Sequence, residues 1–137
     1  MDSLELVYQD EVLNLFWDRD GRYHISEWHG EARGERLRTA AHACLSASRE
    51  RRSTRWLTDV TRFPEIDPPD LQWIAREYYP LLARNGVRRL VFALPEYAAD
   101  RATVRHIPSA CGDDVTIEFE YCDSRAAAVR RLQMLPH

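Results

Sequence analysis

Apolar residues and turn-forming residues alternate in three short runs over the first 28 residues of the chain. The runs cover residues 4–9, 12–18 and 22–28, and each is dense in apolar and aromatic side chains. Such runs, bounded by turn residues, are typical of short β-strands. Between the second and third runs, Asp20 and Gly21 suit the positive φ angles of a tight hairpin turn. The chain is therefore predicted to begin with three strands.

The spacing changes after the third run, and from Glu31 to about Arg52 apolar residues recur every three or four positions. This period places them on one face of an amphipathic helix. The helix ends in an arginine-rich stretch, residues 49–52. Because the helix dipole favours cations at a helix C-terminus, these arginines are interpreted as stabilising the helix rather than as a binding patch.

A fourth strand at residues 55–60 precedes a second helix whose start is well marked. Asp67 suits the N-cap, Pro68 the first helical position, and Asp70 the first turn, where a carboxylate faces free backbone amides. Pro80 lies inside this helix. Since proline lacks the N–H donor, Pro80 is expected to kink the helix or to split off its last turn.

The rest of the chain alternates strands with helices. Residues 90–94 are continuously apolar, which predicts a strand covered on both faces, whereas residues 115–122 alternate, which predicts a strand near the sheet edge. A helix over residues 98–109 is expected to be broken at Pro108, and a last helix follows the last strand. The predicted order is β-β-β-α-β-α-β-α-β-α, an α/β fold whose mixed sheet has an antiparallel start followed by βαβ units.

Length and composition fit one domain covering residues 1–137. All 19 basic residues are arginine, so the chain has no lysine to form a Schiff base or to complete a Walker phosphate-binding loop. A net charge of -3 with interspersed signs does not indicate nucleic acid as a partner. With no window apolar enough for a membrane helix and three separated cysteines, the chain is expected to be cytoplasmic, with reduced thiols and no membrane contact.

Three segments resemble the SpoIIAA-like or STAS-like superfamily of small α/β domains. Residues 56–62 are similar to that family's apolar strand ending in Asp, residues 63–67 to the approach to its second helix, and residues 117–127 to its last strand and last helix start. The resemblance covers most of the chain and implies the family's mixed sheet packed against helices. The family includes anti-sigma factor antagonists, and CRAL-TRIO lipid-transfer domains are related to it in fold.

The resemblance also shows where this chain departs from its relatives. In antagonist members a phosphorylatable serine follows the Asp at the start of the second helix, but here Pro68 and Pro69 follow Asp67. The phosphorylation switch is therefore expected to be absent, and the chain looks closer to stand-alone bacterial SpoIIAA-like proteins of unknown function. The resemblance thus implies a non-enzymatic regulatory module that needs no cofactor and binds an unidentified protein.

The predicted binding residues lie at the end of the fourth strand and around the start of the second helix. Asp59, Arg62, Asp67 and Asp70 supply charge there, and Trp73 is a candidate exposed anchor for the partner. Open α/β sheets usually receive ligands at this edge. A structural interpretation stays open, because the helix-start carboxylates can cap the helix and Asp59 can pair with Arg62 or with a loop amide.

Two other residue combinations indicate chemistry less directly. His24 and His29 have carboxylates nearby but lack the ligand spacing of a metal site, so no metal is predicted. Cys111 and His106 would need a hydrogen bond and a third, orienting group to act as nucleophile and base. No G-x-S-x-G motif is present either, and no catalytic residue is assigned.

Aromatic residues concentrate near the second helix, namely Trp56, Trp73, Tyr78 and Tyr79. They can form core, or they can line a pocket for a small molecule or lipid, which is the alternative function that the CRAL-TRIO relatives imply. A cavity of a few hundred Å³ behind the second helix would favour that alternative. A homodimer also stays open, since the first strand can form an exposed edge that pairs with a second copy.

Overall fold

The computed structural model describes residues 3–63, 65–113 and 115–136. Its strands are β1 (Leu4–Gln9), β2 (Leu13–Asp18), β3 (Tyr23–Trp28), β4 (Arg55–Asp59), β5 (Arg89–Ala93) and β6 (Glu118–Cys122). Its helices are α1 (Gly34–Arg51), α2 (Pro68–Trp73), α3 (Tyr79–Arg84), α4 (Ala98–Cys111) and α5 (Arg125–Met134). A π-helical turn (Ile74–Tyr78) joins α2 to α3, and the three together are called the second helical segment.

Within the described residues the strands form one six-stranded sheet in the order β1-β2-β3-β4-β5-β6. The pairs β1–β2 and β2–β3 are antiparallel, and the pairs from β3 to β6 are parallel. An α/β protein with a mixed sheet is therefore confirmed. The apolar strand β5 is buried on both faces, and β6 lies at the sheet edge, as their hydrophobic patterns predict.

The sheet separates two apolar cores. One core packs α1, the second helical segment and α4 against sheet residues such as Leu15, Trp56 and Phe92. The other packs α5 against the opposite face, where Leu132 contacts a group that includes Leu57. Because three helical segments share the first face, the surface between neighbouring segments can form grooves.

The interruption expected at Pro80 is confirmed, and it takes the form of the π-helical turn. Pro80 is the second residue of α3, and the Tyr79 N–H donates to the Ile74 carbonyl five residues earlier. Proline cannot donate a hydrogen bond, and its ring collides with the carbonyl four residues before it. The wider turn relieves this collision while the helical course continues.

The break expected at Pro108 is wrong, because α4 continues through Pro108 to Cys111. Proline removes the one hydrogen bond that its own N–H would make to Val104. Both Val104 and Ile107 are buried in the first core. Their packing against the sheet holds the last turn of α4 in place despite the missing bond.

Candidate functional site

Asp59 is a buried carboxylate at the end of β4, with 4% of its surface exposed. Its Oδ1 accepts from the Thr61 backbone N–H at 2.9 Å and from the Thr61 hydroxyl at 2.6 Å. Its Oδ2 lies 3.4 Å from Nη1 of Arg125 at the start of α5. Of the two local partners considered for Asp59, the structure therefore provides the loop amide.

Arg125 joins Asp59 to a second carboxylate on the neighbouring strand. Its guanidinium also binds Glu27, which accepts a hydrogen bond from the Asn14 side chain at 2.9 Å. Burial acts to raise the pKa of Glu27, but the bonds from Asn14 and Arg125 outweigh it and hold that pKa below its ordinary value. This network fixes the start of α5 to the sheet.

The remaining predicted residues lie on the opposite face of the sheet or on exposed loops. Asp67 occupies the N-cap of α2 without making a side-chain cap bond, and its carboxylate is 3.9 Å from Arg33. Arg62 is exposed. Trp73 is half-buried, with the Arg38 guanidinium 5.3 Å from its ring centre.

Asp70 connects two helix starts instead of capping its own helix. Only 5% of its surface is exposed, and its carboxylate oxygens accept from the backbone N–H of Gly34 at 3.1 and 3.3 Å. The first residue of α1 is thereby tied to the first turn of α2. The five predicted binding residues are thus divided between the two faces of the sheet, and their role in binding stays a prediction.

Asp70→Ala is expected to lower the free energy of unfolding by about 2 kcal/mol, because the half-buried Gly34 N–H loses a charged acceptor. Asp67→Ala is the matched control, since this neighbouring carboxylate is more exposed and makes no cap bond. Its effect should stay below about 1 kcal/mol. Urea unfolding of both variants measures the difference, and equal losses would contradict the structural role assigned to Asp70.

A large concave surface lies between the second helical segment and α4, and it is called the inter-helix groove. Its volume is about 1010 Å³. Its lining residues are Pro68, Leu71, Gln72, Ala75, Arg76, Pro80, Ala83, Arg84, His106, Ser109, Ala110, Cys111, Gly112 and Thr116. Sequence reasoning missed this groove, although one signal of it was present: every fourth position from Pro68 to Arg84 is proline, glutamine or arginine rather than a large apolar residue.

Cys111 and His106 both line the groove, but their geometry is not that of a nucleophile and its base. His106 Nδ1 lies 3.3 Å from the Ser109 hydroxyl. Burial raises the pKa of the Cys111 thiol to about 11. The thiol is therefore protonated at neutral pH, and a thiol is a much weaker nucleophile than a thiolate.

A second, interior cavity lies behind the second helical segment. Apolar and aromatic residues line it, including Trp28, Phe63, Tyr78, Tyr79 and Phe92. Its volume is about 50 Å³. A drug-sized ligand needs roughly 300 Å³ or more, so the aromatic residues act as core packing in this conformation.

Comparisons with known proteins give no further guide to the site, since no family model, no curated protein and no solved structure matches the chain. In the described ranges, no group of three or more His, Cys, Asp or Glu residues is arranged to hold a metal ion. Among the helices described above, none has the length and apolar character needed to cross a membrane. Function has to be inferred from the chain's own residues.

Proposed function

We propose that this chain is a STAS-like protein-interaction module whose partner binds in the inter-helix groove. The groove carries the proposal, because about 1010 Å³ of open space between two helical segments can accommodate a segment of another protein. Helical residues form its walls, so the surface is largely preformed. A preformed surface loses little conformational entropy on binding.

Three features support the STAS-like part of the proposal. An antiparallel start leads into parallel βαβ units, as in the family that the sequence resembles. The strand ending at Asp59 and the start of α5 match two of the segments that carry the resemblance. Pro68 and Pro69 occupy the first two positions of α2, which supports a module without the phosphorylatable serine of the antagonist members.

The chemistry of the groove favours binding over catalysis. The Cys111 thiol is held protonated, and the Ser109 hydroxyl donates its proton to the His106 backbone carbonyl at 2.8 Å rather than to the imidazole 3.3 Å away. A nucleophilic mechanism needs a deprotonated or base-activated group within hydrogen-bond reach. The small interior cavity likewise favours a protein partner over a lipid or small molecule.

Filling the groove tests this function. Ala110→Trp and Gln72→Trp each place an indole in the groove from opposite walls, and Ala102→Trp places one on the exposed surface of α4 outside it. We expect each groove variant to bind the partner protein at least tenfold more weakly, which is a loss of ~1.4 kcal/mol in binding free energy. The Ala102→Trp variant should retain the partner. Native mass spectrometry of the tagged protein, purified gently from its own host, measures the retained partner.

Thermal unfolding of the three variants separates loss of binding from loss of folding. If the protein mass stays on both groove variants, binding occurs elsewhere and the assignment of the groove is wrong. An added mass of a few hundred daltons in place of a protein would favour the small-molecule alternative.

A further inference from the structure

Two exposed arginines on the rim of the inter-helix groove have no carboxylate partner among the residues that the structure describes. The guanidinium groups of Arg76 and Arg84 make no ion pair and no side-chain hydrogen bond with any described residue. Elsewhere on the surface, arginines do find carboxylates, as Arg36 does with Glu11 at 3.4 Å. The charge at the groove is therefore available to a partner.

The other described residues that line the groove leave this positive charge uncompensated. None of these lining residues is Asp or Glu. The polar residues among them include Gln72, His106 and Thr116. The chain as a whole carries a net charge of -3. A cationic groove on an acidic protein attracts anionic segments and repels cationic ones, which selects among partners.

Several residues that line the groove have short side chains or none. Ala75, Ala83, Ala110 and Gly112 end at Cβ or lack it. Small residues allow another backbone to approach closely. The space therefore suits a polypeptide segment lying along the groove, with its side chains directed to the rims.

The π-helical turn keeps the two arginines on the same groove. Every fourth residue from Pro68 to Arg84 lines it. In an α-helix such a row winds around the axis by about 40° per step, because a turn takes 3.6 residues. A π-helical turn closes i→i+5 bonds and contains more residues, so the turn at Ile74–Tyr78 reverses part of that drift.

We propose that the partner in the groove presents an acidic segment whose carboxylates bind Arg76 and Arg84. This inference rests on the proposed function, since it names the partner chemistry of the same groove. The two arginines are eight positions apart, about 12 Å along the helix axis. Carboxylates about four residues apart in an extended segment span this distance. The planar guanidinium group matches a carboxylate with two parallel hydrogen bonds.

A synthetic peptide of alternating Glu and Ala, carrying a fluorophore, is the probe, and the same peptide with Gln in place of Glu is its control. Fluorescence anisotropy should show binding of the Glu peptide and at least tenfold weaker binding of the Gln peptide. The double substitution Arg76→Glu/Arg84→Glu should weaken binding of the Glu peptide at least tenfold. Arg49→Glu/Arg130→Glu changes the net charge equally at two exposed positions outside the groove, and should change binding less than twofold.

The same charge variants, tested on the complex from the host, separate this inference from the proposed function. Loss of the bound protein in Arg76→Glu/Arg84→Glu but not in the control supports the acidic partner. If Ala110→Trp displaces the protein while reversal of the two groove arginines does not, the groove binds a partner of other chemistry and only the inference is overturned. If neither change displaces it, both proposals are overturned. Equal binding of the Glu and Gln peptides would also overturn the acidic segment.

Discussion

Acidification from neutral pH is expected to destabilise this protein before its carboxylates begin to titrate, and His24 is the cause. Its side chain is 0% exposed and lies between Trp17 and Trp56, with ring centres 4.7 and 4.6 Å away. Nδ1 lies 2.7 Å from the Ser53 hydroxyl, while Nε2 is buried without a partner. Burial, assisted by the nearby Arg51 charge, lowers the pKa of His24 to about 3.

The sign of the effect follows from the two protonation states. The unfolded chain protonates this histidine near its ordinary pKa of 6.5, whereas the folded chain does so only near 3. The contribution of His24 to stability is therefore complete above pH 6.5 and is lost as the pH falls from 6.5 to about 3, by about 1.4 kcal/mol per pH unit and about 5 kcal/mol in all. Asp18 and Glu27, whose pKa values are lowered from 3.8 and 4.5, lose their contributions only below about pH 4.5.

Urea unfolding at a series of pH values measures this effect, and the interval from about pH 6.5 to about pH 5 isolates it from the carboxylates. His24→Phe costs stability at every pH, because the Ser53 hydroxyl loses its partner, but it should remove the slope in that interval. His42→Phe is the control at an exposed histidine and should retain the slope. A wild-type protein equally stable at both ends of the interval would contradict the buried, neutral state of His24.

Features of this fold that depend on near neighbours in the chain can be predicted from the sequence. The strand expected at residues 4–9 is β1, with the same bounds. Ser124, one of two predicted caps for the last helix, accepts from the Ala127 N–H at 3.1 Å. The interruption before Pro80 is predictable as well, because its cause is the missing donor of that one residue.

Contacts between distant parts of the chain are not predictable in this way. Asp70 meets Gly34 across 36 positions, and Asp59 meets Arg125 across 66. Hydrophobic period and local propensity carry no information about which distant side chains approach each other. The site predicted from the sequence therefore groups carboxylates by their positions at a strand end and at a helix start. In the structure, two of these carboxylates, Asp59 and Asp70, instead connect separate secondary-structure elements. The groove is missed for the same reason, since it exists only because α4 lies beside the second helical segment.

Arg55 also contacts residues that are distant along the chain, and its replacement is expected to release α5 from the sheet. The residue is 2% exposed, and Nη1 donates to the Leu132 carbonyl at 2.8 Å and to the Leu135 carbonyl at 3.4 Å. Nη2 donates to the Gly21 carbonyl. The charge thus sits at the C-terminus of α5, where the helix dipole favours a cation.

Arg55→Met keeps the length of the side chain but removes every donor, so buried carbonyls at the end of α5 lose a charged partner. Each such loss costs about 1–3 kcal/mol, and the free energy of unfolding should fall by about 3 kcal/mol or more. Amide exchange should accelerate most in α5, because the end of that helix loses its attachment. Lysine cannot replace the guanidinium fork, so Arg55→Lys should recover only part of the loss.

Arg89→Met is the matched control for this substitution. Arg89 is the register partner of Arg55 on β5, but it is half-buried and pairs with Glu118 near the sheet edge. Its loss should cost less than about 1 kcal/mol and leave exchange in α5 unchanged. Equal destabilisation by the two substitutions, or an Arg55→Met variant with unchanged exchange in α5, would contradict the role of Arg55. The expected difference would show that α5 depends on one buried cation reaching its C-terminus from β4, and that the network at Arg125 secures only its other end.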